Sequence, residues 1–345
     1  MAGINLMPGP VAVLPEVREA FAREPVSHRC EQFKRQYRDT IRRLKRLVNA
    51  RRAVLLAGSG TLGNEIAAWN LRGLGPGLVL SNGEFGERLA GHASRHGLDF
   101  ETLRLDWGGC FAMPEVARRL EGKSWVWLAA CETSTGVLNP FQKIAAHCGA
   151  RGIKVCLDCI SAAGNTPLDL SDVFMATASS GKGQGAYAGI AVIFYNHAAA
   201  PSPGTPGYLD LATHQNRDNV PFTLLSSLLS ALHAALVHTD YAGKFKRLRA
   251  MRARVRALAR RHNLASPVRR GQSDFMWTFQ LPAAVDSEKT GDALARRGIL
   301  AHYKNKYLLQ RNWVQFSLMG CVSAADVGRA FGLLAQSRAA AAPRA

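Results

Sequence analysis

The stretch Ala53-Val-Leu-Leu-Ala-Gly-Ser-Gly-Thr-Leu-Gly63 joins a short apolar run to a loop of small residues. The apolar run predicts a buried strand, and the pattern that follows at residues 65–72 predicts a helix. A strand that enters a helix through a short glycine-rich turn is the repeating unit of a parallel sheet covered by helices. This stretch therefore predicts an α/β fold.

The same alternation continues to about residue 195, with four more apolar runs that predict strands and three more helical patterns. The predicted strands are 78–80, 125–128, 155–157 and 190–194, and the predicted helices are 87–96, 114–120 and 140–150. A turn-rich segment follows at 201–206, and then a long helical region at about 224–262. The remaining pattern predicts strand 273–281, helix 288–297, strand 313–319 and helix 324–336.

These patterns indicate a large domain with a mostly parallel sheet between helices, followed by a smaller α+β domain. We expect residues 1–15 to pack with the small domain, residues 16–245 to form the large domain, and residues 246–338 to form the small one. Residues 339–345 are of low complexity and are expected to be a loose tail.

The net charge is +19, from 44 Lys and Arg residues against 25 Asp and Glu residues. Much of the surplus lies in two stretches that read as helices, 34–52 with nine basic residues beside Asp39, and 244–270 with eleven and no acid. Neither stretch interleaves aromatic residues as a nucleic-acid stacking surface would. We interpret both as solvated helix faces, and nucleic-acid binding is the less favoured alternative.

Seven cysteines are too few for a disulfide-rich protein, and their odd number leaves at least one unpaired. Cys156 and Cys159 have C-x-x-C spacing, but one lies inside a predicted strand and no second pair follows, which favours buried thiols over a metal or redox site. The sequence shows neither a signal-peptide pattern nor an apolar run of membrane length. We therefore expect a cytoplasmic protein.

The loop Gly58-Ser-Gly-Thr-Leu-Gly63 matches G-x-G-x-x-G at the start of a predicted helix. A dinucleotide site would place an acid after the next strand, where Ser81 and Asn82 stand instead. The loop nevertheless offers backbone N–H groups and the Ser59 and Thr61 hydroxyls to a phosphate. The alternative is an ordinary turn between a strand and a helix.

Three more polar segments stand out, two of them after predicted strands and the third between two apolar segments. Asp158 ends the strand 155–157, and the loop Glu132-Thr-Ser-Thr-Gly-Val-Leu-Asn-Pro140 is rich in hydroxyl groups. Lys182 lies among residues too small to cover it, in Ala178-Ser-Ser-Gly-Lys-Gly-Gln-Gly185, so its amine can be desolvated and act as a nucleophile. A phosphate cradle, a carboxylate and a lysine at the carboxyl ends of strands predict a site for pyridoxal 5′-phosphate.

The order and wording of several segments resemble the class V aminotransferases, which are fold-type I pyridoxal-phosphate enzymes, and especially the alanine-glyoxylate and 2-aminoethylphosphonate-pyruvate aminotransferases. The resemblance extends over nearly the whole chain. The segments that carry it are Leu6-Met-Pro-Gly-Pro-Val11, Ser27-His-Arg29, Gly58-Ser-Gly-Thr61, Asn82-Gly-Glu-Phe-Gly-Glu-Arg88, the 132–140 loop, Asp158, Ser180-Gly-Lys182, Pro221-Phe-Thr223 and Leu318-Met-Gly320.

The resemblance implies a homodimer with shared active sites, each binding pyridoxal phosphate, and it implies no metal. It assigns a role to individual residues of this chain. These are Lys182 as the Schiff-base lysine, Asp158 at the pyridine nitrogen, Phe85 stacked on the ring, Thr133 at the phenolic oxygen, Ser59, Gly60 and Thr61 at the phosphate, Ser180 in the cofactor loop, Thr223 at the neighbouring subunit's phosphate, and Gly9 at the substrate.

One position departs from the family. The resemblance implies an arginine in the last strand that receives the substrate carboxylate, but this strand reads Trp313-Val-Gln-Phe-Ser317 and presents Gln315. Glutamine cannot make the bidentate charged pair that arginine makes. Either Arg29 or Arg311 reads the substrate anion, or the substrate is not an ordinary α-amino acid. Transamination between an amino donor and a 2-oxo acid is the leading expectation, and β-elimination, C–S lysis or an aldol-type addition is the alternative.

Overall fold

A seven-stranded sheet with helices on both sides lies at the centre of the fold. The computed structural model describes residues 3–201, 204–215 and 220–341, with side chains described as far as Ser337. The strands are β1 (Ile4–Asn5), β2 (Arg52–Ala57), β3 (Gly77–Ser81), β4 (Phe100–Arg104), β5 (Trp125–Ala129), β6 (Cys131–Glu132), β7 (Val137–Leu138), β8 (Lys154–Asp158), β9 (Met175–Ser179), β10 (Ile190–Tyr195), β11 (Met276–Gln280), β12 (Ile299–Leu300) and β13 (Trp313–Ser317).

The helices follow the expected alternation with the strands. They are α1 (Pro15–Phe21), α2 (Glu31–Val48), α3 (Gly60–Leu71), α4 (Glu84–Arg95), α5 (Met113–Arg119), α6 (Phe141–Gly149), α7 (Leu211–His214), α8 (Ser226–His238), α9 (Tyr241–Arg261), α10 (Ser287–Arg296), α11 (Lys306–Leu309) and α12 (Ala324–Ala341).

The central sheet has the strand order β2-β10-β9-β8-β5-β3-β4. The pairs from β9 to β4 are parallel, whereas β10 runs antiparallel to both of its neighbours. The mostly parallel sheet predicted from the sequence is confirmed. Because β2, β3, β5, β8 and β9 all point the same way, the loops at their carboxyl ends meet at one edge of the sheet.

Two strands of this sheet escaped prediction. β9 reads Met-Ala-Thr-Ala-Ser, which lacks the large apolar side chains that mark a buried strand, although all five residues are buried. β4 lies at the sheet edge beside β3 and is partly exposed. In both cases pairing with neighbouring strands of the sheet, rather than the composition of the segment, determines that the segment is a strand.

The long helical region predicted at 224–262 is two helices. α8 ends at His238, and α9 begins after Asp240, whose carboxylate accepts a hydrogen bond from the N–H of Gly243 at 2.9 Å. A side-chain cap of this kind starts a new helix and separates it from the preceding one. The basic stretch predicted as helix over 244–270 is therefore helical only to Arg261.

The C-terminal part of the chain builds two small sheets. β11 pairs with β13 in antiparallel fashion, and β1 pairs with β12, which places the N-terminal segment beside the C-terminal residues. Helix α12 continues to Ala341, so residues 339–341 of the expected loose tail are helical. Residues 342–345 of that tail, and residues 202–203 of the turn-rich segment at 201–206, lie outside the described residues.

All seven cysteines belong to the described part of the chain and all are free thiols. Cys156 and Cys159 are fully buried, and burial raises the pKa of both thiols, which agrees with the prediction of buried rather than reactive thiols. The described residues contain no group of three His, Cys, Asp or Glu side chains placed to hold a metal ion. None of the helices described has the combined length and hydropathy of a membrane span.

Candidate active site

A cavity of about 370 Å³ lies at the edge where the parallel strands end. Loops after β2, β3, β5, β8 and β9 meet there with the N-terminal segment and with residues from the C-terminal part. Most of the residues singled out in the sequence line this cavity. They are Gly9, Ser59, Gly60, Thr61, Phe85, Thr133, Asp158 and Lys182.

Helix α3 begins at the cavity and presents its N-terminus to it. Ser59 is its N-cap residue and makes no side-chain capping hydrogen bond, so the hydroxyl is available to a ligand. The first backbone N–H groups of a helix have no partner within the helix and attract negative charge. A Cβ on Gly60 would lie 2.5 Å from Cδ1 of Ile160, so a larger residue at the start of the helix would displace the Ile160 side chain.

Asp158 is the last residue of β8, and its buried carboxylate is held in one orientation. The Asn64 amide donates a hydrogen bond to it at 2.9 Å, and so does the backbone N–H of Ile160, also at 2.9 Å. Thr177 of β9 donates to the Asn64 oxygen at 2.8 Å, which turns the Asn64 NH₂ group toward Asp158. The carboxylate is therefore oriented by neighbours on three different elements.

Burial raises the pKa of Asp158, against the opposing effects of the hydrogen bonds from Asn64 and Ile160 and of the charge on Lys182. A carboxylate that is removed from water loses its hydration free energy, and a positive charge beside it offsets that loss. The cavity face of Asp158 is thus suited to a cationic group, such as a protonated ring nitrogen.

Lys182 lies in the loop between β9 and β10, and its Nζ donates a hydrogen bond to the carbonyl of Pro8 at 3.2 Å. Burial lowers the pKa of Lys182, although the charge of Asp158 acts in the opposite direction. A lowered pKa increases the share of neutral amine, which is the nucleophilic form. A Cβ on Gly9 would lie 3.4 Å from Cγ of Lys182, so a small residue suits the close approach of the N-terminal segment.

Phe85 and Thr133 are positioned by one buried acid. The Glu132 carboxylate accepts hydrogen bonds from the N–H groups of Phe85 and Gly86 at the start of α4, and from Ser134 in its own loop. This ties the loop after β5 to the helix that carries the Phe85 ring. The Thr133 hydroxyl donates to the Ser161 hydroxyl at 2.6 Å, and both residues line the cavity.

Two residues expected at the cofactor lie outside the lining of this cavity. Ser180 is fully buried, and its hydroxyl donates to the carbonyl of Tyr187 at 2.6 Å and accepts from the N–H of Ile190. It therefore shapes the lysine loop, whereas the neighbouring Ser179 lines the cavity. Thr223 is exposed, in the segment before α8.

Of the expected substrate contacts, Gly9 lines the cavity, whereas the other three lie elsewhere. The Arg311 guanidinium stacks 3.6 Å from the Trp107 ring and donates to the carbonyl of Tyr307, and Arg29 is exposed ahead of α2; neither lines the cavity of this subunit. Gln315 is completely buried and hydrogen-bonded behind the cavity wall. The expectation that Gln315 contacts the substrate directly does not agree with this position.

Several lining residues escaped the sequence reasoning. Asn64 and Ser161 each lie one turn beyond a residue that was singled out, so helix and turn spacing could have indicated them. Arg88 also lines the cavity and belongs to the 82–88 segment that carries the family resemblance, but it was given no role there. The other lining residues that were missed belong to no quoted segment, and they are His92, His302, Asn305 and Tyr307.

The profile of the family described as aminotransferase class-V matches residues 16–205, which is more than half of the chain. The chain belongs to the class V aminotransferases. Members of this family are pyridoxal-phosphate-dependent transferases. The residues of the cavity fit this cofactor, because a helix N-terminus, an oriented carboxylate and a buried lysine amine face one space together with the ring of Phe85.

This class V aminotransferase is similar to several known proteins. It is 30% identical over 249 residues to the 2-aminoethylphosphonate–pyruvate transaminase of Pseudomonas fluorescens, covering 68% of each chain. It is 29% identical over 250 residues to the soluble hydrogenase 42 kDa subunit of Anabaena cylindrica, where the match covers 67% of this chain and 65% of the relative.

The fold is that of the fold-type I pyridoxal-phosphate enzymes, as predicted. The crystal structure of pyridoxamine-pyruvate aminotransferase from Mesorhizobium loti superposes with a TM-score of 0.92, over 100% of this chain and 94% of that one. At 21% sequence identity this similarity establishes the shared fold.

Proposed function

We propose that this protein is an aminotransferase that moves an amino group between a small amino donor and a 2-oxo acid, with pyridoxal phosphate as its cofactor. The observation that carries the proposal is the convergence of Lys182 and Asp158 on one cavity that also contains the N-terminus of α3. An amine, a carboxylate and an anion cradle match the aldehyde, the ring nitrogen and the phosphate of this cofactor.

The residues divide the work. When bound, the cofactor supplies an electron-withdrawing ring that stabilises negative charge on the substrate Cα. Lys182 would hold the cofactor's aldehyde carbon through Nζ, and its amine would take up and return the proton at the substrate Cα. Asp158 would keep the ring nitrogen protonated, and Phe85 and Thr133 would fix the position of the ring. Ser59, Gly60 and Thr61 would hold the phosphate.

Absorption spectroscopy of the holoenzyme tests the reaction type. With an amino donor alone, we expect one equivalent of bound aldehyde cofactor to be converted to pyridoxamine phosphate, since the amino group cannot leave without an acceptor. Addition of pyruvate should restore the starting spectrum. Amines with and without an α-carboxylate should be used as donors.

A lyase would behave differently in the same experiment. It would release product continuously from the donor alone and keep its aldehyde cofactor throughout. Gln315, which stands where the family resemblance implies an arginine, is the reason to include this comparison. Continuous turnover without an oxo acid would contradict transamination and favour β-elimination or C–S lysis.

We also propose a cytoplasmic homodimer in which residues 16–245 form the cofactor domain and residues 246–338 the small domain, packed with residues 1–15. The exposed Thr223 would reach the phosphate site of the partner. Val26 and Leu225, two exposed apolar residues, lie beside it, and the N–H of Val26 donates to the Ser226 hydroxyl at 2.9 Å. An apolar surface around Thr223 suits a subunit interface.

Complementation between subunits tests the shared site. Lys182→Ala and Thr223→Asp should each be nearly inactive, the second because a carboxylate repels the phosphate. Mixed dimers would contain one intact site, so coexpression in equal amounts should restore about a quarter of the wild-type activity per chain if subunits pair at random.

The matched control pairs Lys182→Ala with Asp158→Asn. Both residues belong to the same subunit's cavity, so no mixed dimer of these variants contains an intact site. Recovery in the control, or failure to recover with Thr223→Asp, would argue against the proposed contribution of Thr223 to the neighbouring site.

A further inference from the structure

The side chain of Gln315 has an orientation that its neighbours dictate. Its Nε2 lies 3.0 Å from the carbonyl oxygen of Thr133, 2.8 Å from that of Ser134 and 2.7 Å from the Thr278 hydroxyl. Carbonyl oxygens only accept hydrogen bonds, so the NH₂ group must face them. The Gln315 oxygen Oε1 consequently points the other way, toward His302.

This orientation selects one tautomer of His302. Nδ1 of the ring lies 2.9 Å from Oε1 of Gln315, which can only accept, so Nδ1 must carry the hydrogen. Burial lowers the pKa of His302, and the charge of Lys182 adds to this, against hydrogen bonds from Gln315 and Asn305 that raise it. The neutral ring then has a lone pair on Nε2.

His302 belongs to a neutral wall of the cavity, which we define as His302, Asn305 and Tyr307. The Asn305 side chain lies close enough to both His302 and Tyr307 to affect their pKa values. An imidazole, an amide and a phenol can all donate or accept a hydrogen bond, but none of them supplies a positive charge at neutral pH. Gln315 lies behind this wall, where it is buried and where both polar atoms of its amide are hydrogen-bonded.

Arg88 and Lys182 are the lysine and arginine side chains that line the cavity within the described residues. Lys182 is committed to the cofactor in the function proposed above. Arg88 is half exposed, pairs with Glu84 at 3.0 Å and lies over the Phe85 ring. A cation that is solvated and already paired discriminates poorly between a carboxylate and an uncharged group.

We propose that the neutral wall, which Gln315 orients through His302, selects amino donors by the group attached to the carbon that carries the amine. Donors in which this group is uncharged and hydrogen-bonding, such as a carboxamide or a hydroxymethyl group, are favoured over donors in which it is a carboxylate. The proposal rests on the proposed aminotransferase function. A carboxylate would face imidazole, amide and phenol groups without a compensating cation, whereas the N–H or O–H groups of an uncharged donor can pair with these groups.

Three donors with the same carbon skeleton test this selection in the single-turnover reaction of the holoenzyme. They are L-alanine, L-alaninamide and L-alaninol. We expect the amide and the alcohol to react at least about tenfold faster per unit concentration than L-alanine, because the wall pairs with their donors and leaves the carboxylate unpaired. An equal or higher rate for L-alanine would overturn the proposed selection and leave transamination standing. Failure of every amine to convert the cofactor would overturn the aminotransferase function itself.

Variants of His302 identify the wall as the cause. His302→Phe should reduce the rates with the amide and the alcohol about tenfold and affect L-alanine less, whereas His302→Arg should reverse the preference toward L-alanine. His147→Phe, on α6 and outside the cavity lining, is the control and should keep the wild-type order. Unchanged selectivity in both His302 variants would overturn the assignment.

A second readout needs no turnover. ¹⁵N NMR of the histidine-labelled holoenzyme should show a neutral ring protonated on Nδ1, identified as His302 by its loss in His302→Phe. In Gln315→Met, which keeps side-chain length but removes the acceptor, this preference for Nδ1 should disappear. A ring protonated on Nε2, or an imidazolium at neutral pH, would overturn the proposed wall.

Discussion

We expect Lys182→Ala to lower turnover by at least about 10⁴-fold while leaving the fold intact, because no other side chain that lines the cavity within the described residues offers a primary amine. The Lys182 amine makes one hydrogen bond, to the carbonyl of Pro8, so its removal breaks little of the structure. Steady-state kinetics, circular dichroism and thermal unfolding should be measured on the same preparation. Borohydride should fix the cofactor to the wild-type chain at Lys182 and should fix none there in the variant.

Lys244 offers a matched control for this substitution. It is also buried, and its Nζ likewise donates to one backbone carbonyl, that of Gly183 at 2.8 Å. It lies outside the cavity lining, so Lys244→Ala removes a similar contact to the same loop while leaving the Lys182 amine in place. Wild-type turnover in Lys182→Ala, or an equal loss in both variants, would show that Lys182 has no specific chemical role.

The second large effect is expected at Asp158. Asp158→Asn should lower turnover by about 10²- to 10⁴-fold, because a neutral amide no longer favours protonation of the ring nitrogen. Cofactor affinity should fall as well. The unfolding temperature of the cofactor-free protein should change little, since the variant replaces a buried carboxylate whose pKa burial raises.

Chemical rescue separates the electrostatic role of Asp158 from a packing role. With a cofactor analogue methylated at the ring nitrogen, Asp158→Asn should recover part of the lost rate, because the positive charge no longer depends on a carboxylate. Asp169→Asn, in a surface turn capped by its own carboxylate, is the control and should behave as wild type. Full activity of Asp158→Asn with the ordinary cofactor would remove Asp158 from the proposed role.

Much of the candidate site could be predicted because its parts follow strands. Ser59, Asp158 and Lys182 each come directly after an apolar or buried run, and the carboxyl ends of parallel strands converge at one edge of a sheet. Local sequence therefore specified both the residue types and their meeting place. Lys182 was singled out although β9, the strand before it, was not predicted, because the small residues of β9 do not resemble a buried strand.

The opposite wall of the cavity could not be predicted in this way. His302, Asn305 and Tyr307 come from the segment between β12 and β13, more than a hundred residues after Lys182, and they match no periodic pattern. Gln315 showed in the sequence only that an expected arginine was missing. The pairing of β13 with β11 buries its amide against Thr278 and the loop after β5, and this contact makes it a positioning residue.

The sequence by itself determined the α/β alternation and singled out the loop before α3, Asp158 and Lys182 as candidates for the site, because each of these inferences depends on residues close together along the chain. The tertiary structure alone decided that Ser180 faces its own loop, that Arg311 stacks on Trp107, and that Gln315 orients His302. These outcomes depend on which donors and acceptors burial brings together across long separations. A hydrogen bond between distant segments leaves no periodic mark in either of them.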